Sequence, residues 1–135
     1  MVHLLIVSHG PLAEALKESS KMFYGEMAEN LETCTLFPED SPEKMKERIL
    51  EKIKLLEDGD GVLVFADLFA GTPCNMTALA LSEYENRAEC ITGVNLPVLM
   101  EAIAMSSTHT LDEIVTKIIE QAPQSFINVR KTLGL

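Results

Sequence analysis

Residues 61–66 read Gly-Val-Leu-Val-Phe-Ala, GVLVFA, without one polar side chain among them. A strand with one face in water alternates apolar and polar residues. A run that is apolar on both sides is typical of a central parallel strand, covered on both faces. The turn signal EDGDG (57–61) precedes it. The loop DLFAGTP (67–73) follows, and a helix is expected from Cys74 to about Tyr84, carrying Met76, Leu79 and Ala80. The rest of the chain repeats this strand–loop–helix unit.

Upstream, VHLLIV (2–7) reads as another buried strand and stops at Ser8-His9-Gly10-Pro11. Proline suits a helix's first turn. Leu12, Ala15, Leu16, Ser19 and Phe23 then recur at helical spacing until Gly25. LETCTL (31–36) alternates like a half-buried strand. Ser41-Pro42 is an N-cap and first-turn pair, and Met45, Ile49, Ile53 and Leu56 mark the apolar face of the helix it opens. Downstream, AECITGV (88–94) is the fourth strand, and Asn95-Leu96-Pro97 leads into the helix VLMEAIAM. Thr110 and Glu113 form a capping box for a helix running towards Gln121. SFINVR (125–130) reads as a last short strand.

Strand and helix thus alternate four times, which predicts an α/β fold: a doubly wound, mainly parallel sheet with helices on both faces. At 135 residues, one domain spanning 1–135 and a flavodoxin-like strand order 2-1-3-4 are expected. In such sheets ligands bind beyond the carboxyl ends of the strands, where the winding direction reverses. For this order the reversal lies between strands 1 and 3.

Composition narrows the function. A net charge of −10 is the wrong sign for nucleic acid or an anionic membrane surface. The apolar runs are too short to span a bilayer, and the N-terminus lacks a signal peptide's basic and apolar regions, so a cytoplasmic protein is expected. Cys34, Cys74 and Cys90 lie far apart, with no C-x-x-C pair or Cys/His cluster at metal-ligand spacing. They read as reduced, mostly buried thiols. No metal or cofactor is expected. A flavin in particular wants stacked aromatics, and the relevant loops offer only Phe69.

Strand 1 ends at His9 and strand 3 at Asp67, so the expected topology sets these two across one crevice. A carboxylate bonded to one imidazole nitrogen fixes the tautomer and leaves the other nitrogen's lone pair free to attack an electrophile. Gly71 and its neighbours bring backbone N–H groups to a helix N-terminus, and Thr72 adds a hydroxyl, both suited to an anion. Each feature has a plainer reading. A lone loop histidine is usually solvated, an aspartate after a strand often only caps a turn, and Gly71-Thr72-Pro73 is ordinary turn chemistry. Convergence at one switch point is what singles them out. His3, inside strand 1, and His109, in a late loop, lack such company.

Together, IVSHGPLAEAL, GVLVFADLFAGTPCNMTALAL and ITGVNLPVLMEAI resemble the enzyme IIA component of the mannose-type (mannose/fructose/sorbose) sugar phosphotransferase system, over nearly the whole chain and in order. The resemblance implies a phosphocarrier with a phosphohistidine intermediate. The family's active histidine falls on His9, which would take a phosphoryl group from HPr and pass it to a IIB component. The membrane IIC and IID components would be served indirectly. The family's orienting aspartate falls on Asp67, and its phosphate-facing hydroxyl on Thr72. Family members are dimers that exchange their last strand, which by likeness would be SFINVR. Ala70 stands where many members have Gly, and alanine tolerates fewer positive-φ conformations. Asn95 falls on a family position near the site and is equally suited to capping the helix after it.

Rival readings fit less well. Histidine phosphatases and mutases clamp a small phosphate ester with arginines, yet Arg48, Arg87 and Arg130 are all remote from the two loops in sequence. Small chelatases would need a second histidine at the site, and a receiver domain would need acids where Ser8-His9 stands. The phosphotransfer subunit of a dihydroxyacetone kinase system shares the early histidine and remains the nearest alternative. The Gly-Thr-Pro and Gly-Val-Asn-Leu-Pro segments favour the sugar transporter branch.

Overall fold

The apolar run 61–66 lies inside a four-stranded parallel sheet of order β2-β1-β3-β4. The computed structural model describes residues 1–135. The strands are β1 (His3–His9), β2 (Glu32–Leu36), β3 (Val62–Ala66) and β4 (Ala88–Thr92). All five residues of β3 are fully buried, because β1 and β4 flank it and helices cover both faces.

Side chains on a strand alternate between faces, and the two interior strands feed two separate apolar cores. Leu4, Ile6, Leu63 and Phe65 pack with residues of α1 (Leu12–Tyr24), α5 (Leu96–Met105) and α6 (Leu111–Gln121). Leu5, Val7, Val62, Val64 and Ala66 pack with residues of α3 (Pro42–Leu56) and α4 (Thr72–Ser82). The sheet is therefore doubly wound, as expected. Phe65 is the largest of the buried side chains, and cutting it to alanine should cost about 3–5 kcal/mol through lost transfer energy and a cavity.

Local signals in the sequence set the helix ends. The Ser41 hydroxyl accepts from the Lys44 N–H, with Pro42 in the first turn of α3. Asn95 accepts from Val98 N–H at 3.0 Å to start α5. Thr110 and Glu113 form the reciprocal capping box of α6. Gly25 follows α1 at φ 52° and donates to the Lys21 carbonyl.

Two expectations are corrected. In α1 the stripe Leu12–Ala15–Leu16–Ser19–Phe23 is not the inward face. Ala13 and Ser20 are buried instead, with Leu16 and Tyr24 packed against the core, while Leu12 and Phe23 are exposed. Ser20 can lie inside because its hydroxyl donates to the Leu16 carbonyl at 2.8 Å, which removes the penalty of burying it. A short helix, α2 (Glu26–Glu29), also follows α1 where none was expected.

The second correction concerns 125–130, which form no strand. A 3-10 turn (Ala122–Ser125) leads into an extended Phe126, and Asn128 then caps a short helix, α7 (Val129–Leu133). No strand of this chain's own sheet runs beside this stretch, so within one chain its N–H and C=O groups have no ladder to join. No helix of the chain is long and apolar enough to cross a membrane.

Candidate functional site

Register brings the site together. β1 pairs with β3 as far as Val7 opposite Ala66, and with β2 as far as His9 opposite Leu36. His9 thus overhangs the end of β3 while still held by β2. The next residue of the β3 chain, Asp67, donates its N–H to the Val7 carbonyl at 3.2 Å. Its side chain is turned toward β1 and is only 6% exposed.

Asp67 grips His9 by two atoms. One carboxylate oxygen, Oδ2, accepts from the His9 backbone N–H at 2.8 Å and lies 2.7 Å from the ring nitrogen Nδ1. The other oxygen, Oδ1, accepts from the Leu68 N–H at 2.9 Å. Burial alone would raise the carboxyl's pKa. The His9 N–H and ring, with the Leu68 N–H, outweigh that and hold it below the ordinary aspartate value. An ionised carboxylate only accepts, so Nδ1 must carry the proton in this contact. On a neutral ring the lone pair then sits on Nε2. Half of the His9 side chain remains exposed, at 47%.

Gly71 lies against the Cε1–Nε2 side of the ring. A Cβ at that position would lie 2.8 Å from His9 Cε1, 3.1 Å from Leu68 Cδ1 and 3.4 Å from Nε2. Only glycine lets the α4 N-terminus come this close to the ring. Gly71 is the N-cap of α4, and Pro73 follows inside the first turn. Thr72 joins His9 and Gly10 in lining an open cleft of about 550 Å³. All four candidate residues, His9, Asp67, Gly71 and Thr72, therefore meet at the switch point. Gly71 contributes a steric allowance that its reading as an anion-binding residue did not include.

The other candidates bond other partners. Asn95 spends both ends of its amide on structure, accepting from Val98 N–H and donating to Ser125 Oγ at 3.1 Å. His3 Nε2 lies 2.9 Å from Asp58, and His109 Nδ1 lies 2.8 Å from the Thr108 hydroxyl. Cys34 is buried, while Cys74 and Cys90 are only part-buried. Burial, with Cys74 and Glu89 nearby, pushes the Cys90 thiol up to about 12.

Sequence reasoning missed several contributors. Ser8 is fully buried, and its hydroxyl donates to the Gly10 carbonyl at 3.0 Å while accepting from Ala13 N–H at 2.9 Å. It ties the His9 turn to α1, with Gly10 at φ 57° making the bend. A polar residue ending an otherwise apolar strand was the available signal. The far wall of the cleft is Leu36, Phe37, Pro38, Asp40 and Pro42. Strand order alone demanded that wall, since the loop after β2 must emerge beside the end of β1. Arg48 braces it from behind, donating to the Thr35 carbonyl at 3.2 Å and lying 3.7 Å from Asp40. No arginine or lysine lines the cleft itself.

Known proteins are similar to this chain in sequence and in shape. A family model described as the fructose IIA component of the PTS, the phosphotransferase system, matches residues 3–119. The fructose-specific EIIA component of Bacillus subtilis (strain 168) is 32% identical over 126 residues, covering 93% of this chain and 85% of that protein. The mannose-specific EIIAB component of Escherichia coli (strain K12) is 30% identical over 88% of this chain, which matches 36% of that longer protein. Among solved structures, an EIIA component from Streptococcus agalactiae superposes with a TM-score of 0.87 at 23% identity, covering 97% of this chain and 99% of that one, a likeness of fold. The mannose/sorbose-specific IIA subunit from Enterococcus faecalis gives 0.83 at 27% identity, covering 94% and 93%. The matched stretch takes in the whole sheet and every residue of the His9 crevice, and the chain belongs to the mannose-type IIA family of the sugar phosphotransferase system.

Proposed function

We propose that residues 1–135 act as one phosphocarrier domain, with His9 taking a phosphoryl group from phosphorylated HPr and passing it to a IIB component for sugar uptake. The observation that carries this reading is the 2.7 Å contact between His9 Nδ1 and a buried carboxylate, on a half-exposed ring that lines an open cleft.

The Nε2 lone pair attacks phosphorus in line with the bond to the donor's imidazole nitrogen. That P–N bond breaks as the new one forms, and its electron pair returns to the donor ring. The proton on Nδ1 stays, hydrogen-bonded to Asp67, which steadies the positive charge the ring acquires. The α4 N-terminus and the Thr72 hydroxyl favour the charge on the moving oxygens, so positioning and electrostatics supply most of the catalysis. Transfer to IIB is the same displacement run outwards. A cleft without a cationic side chain suits a phosphoryl group delivered by a docked protein, since a free phosphate ester would need a basic clamp.

We further propose that two copies associate through the exposed apolar C-terminal residues Phe126, Ile127, Val129 and Leu133, whose burial against a second copy would remove apolar surface from water. Static light scattering should then report a dimer, and a monomeric mass at working concentration would exclude it.

Incubation with phosphoenolpyruvate, enzyme I and HPr should add one acid-labile phosphate by mass spectrometry. No added mass would refute the carrier reading.

A further inference from the structure

Ala70 is the only non-glycine residue of the chain in the left-handed region, at φ 63°. A Cβ disfavours that conformation, so the surrounding structure must impose it. Asn75, in the first turns of α4, holds the segment at two consecutive peptides. Its side-chain Nδ2 donates to the Ala70 carbonyl at 3.2 Å, and its backbone N–H donates to the Gly71 carbonyl at 2.9 Å.

The two bonds have a directional consequence. In a planar trans peptide the C=O and N–H point opposite ways. With the Ala70 and Gly71 carbonyls turned back toward Asn75, the N–H groups of Gly71 and Thr72 are turned outward from the helix. Neither N–H has an acceptor within the chain, and Gly71 is the residue lying against the His9 ring.

We propose that Asn75 is a positioning residue for phosphoryl transfer, fixing Ala70 in its left-handed conformation so that the Gly71 and Thr72 N–H groups face the phosphoryl group carried at His9 Nε2. The inference rests on the phosphocarrier reading above. Asn75 makes no hydrogen bond to the imidazole, and acts through the loop. A residue that merely caps α4 would matter equally whatever stands at position 70. A residue that restrains an unfavourable alanine becomes dispensable once that alanine is glycine, which adopts positive φ unaided.

The test is a double-mutant comparison with two readouts. Backbone carbon chemical shifts of residue 70 report its conformation, and single-turnover transfer from phospho-HPr reports the site. Asn75 is exposed, so Asn75→Ala should remain folded by circular dichroism. In that variant the Ala70 shifts should leave left-handed values, and transfer should slow about tenfold or more, as when a backbone donor is lost. Adding Ala70→Gly should return the rate to within about threefold of wild type, since glycine restores the bend without a clamp. A wild-type rate in Asn75→Ala, left-handed shifts retained there, or no rescue by Ala70→Gly would each overturn the proposal. Should wild-type protein itself take no phosphate on His9, the carrier reading falls. The carbon shifts would then still decide whether Asn75 holds the loop.

Discussion

β1 begins and ends with a histidine bonded to an aspartate, and only one of the two pairs has the surroundings that the proposed transfer requires. At the start of the strand, His3 Nε2 lies 2.9 Å from Asp58. At the end, His9 Nδ1 lies 2.7 Å from Asp67. The chemistry of the partners is the same, and the surroundings are opposite.

Asp58 stands in the acidic turn after α3, 43% exposed, and shares the N-terminal ammonium with Asp60. A helix C-terminus and neighbouring acids repel an anion. Asp67 is 6% exposed, is held by two backbone N–H groups as well as by the ring, and stands beside a helix N-terminus. The exposures are reversed for the rings, with His3 at 22% and His9 at 47%. A His–Asp pair is therefore not a site in itself. What makes one is a dry carboxylate, an open ring and a field that welcomes negative charge, and the carboxyl end of a parallel sheet supplies all of them.

The largest contrast should come from removing each ring. His9→Ala should abolish acid-labile labelling by phospho-HPr, and His3→Ala should leave it at the wild-type level. Labelling of His9→Ala would shift the chemistry to another residue. Next, Asp67→Ala should slow transfer about 100-fold through loss of ring orientation, with no change for Asp58→Ala. Equal rates for the two aspartate variants would end the orienting role of Asp67.

A smaller effect is expected from Gly71→Ala. Its new methyl would meet His9 Cε1 at 2.8 Å, so the ring must shift. Stability should fall by about 1–3 kcal/mol in thermal melts, and transfer should fall with it.

The smallest contrast lies in acid stability. The Asp67 carboxyl is held below its unfolded value, so the stability it contributes is complete above the ordinary aspartate range. That contribution is lost as pH falls through the lower folded value. Asp58 is shifted the same way, chiefly by its hydrogen bond to His3, but it stands in solvent and is screened. Between about pH 6 and about pH 3, Asp67→Asn should lose less melting temperature than wild type, and Asp58→Asn should track wild type. Identical acid limbs for Asp67→Asn and wild type would contradict the depressed carboxyl.

Much of this was legible in the sequence, because parallel strands and helix caps are written locally. GVLVFA is typical of an interior strand, and Ser41-Pro42, Asn95-Leu96-Pro97 and Thr110–Glu113 each mark a helix start with side chains that bond neighbouring N–H groups. His9 and Asp67 could be paired from strand order alone. The face of α1 is not legible because the helix carries two apolar stripes, and periodicity does not reveal that a satisfied Ser20 goes inside while Phe23 stays out. The alternation in SFINVR suits a strand, but strand formation requires a sheet edge alongside, which no local pattern encodes. Ser8, Asn75 and the Phe37–Asp40 wall act through contacts whose geometry exists only once the loops are folded.

Nitrogen-15 NMR of the phosphorylated protein, labelled in its histidines, distinguishes a phosphoryl group on Nε2 from one on Nδ1. With Nδ1 committed to Asp67, phosphorus coupling should appear at Nε2 of His9, with a proton retained on Nδ1. Phosphorus on Nδ1 of His9, or on any other residue, would contradict the arrangement described for this crevice.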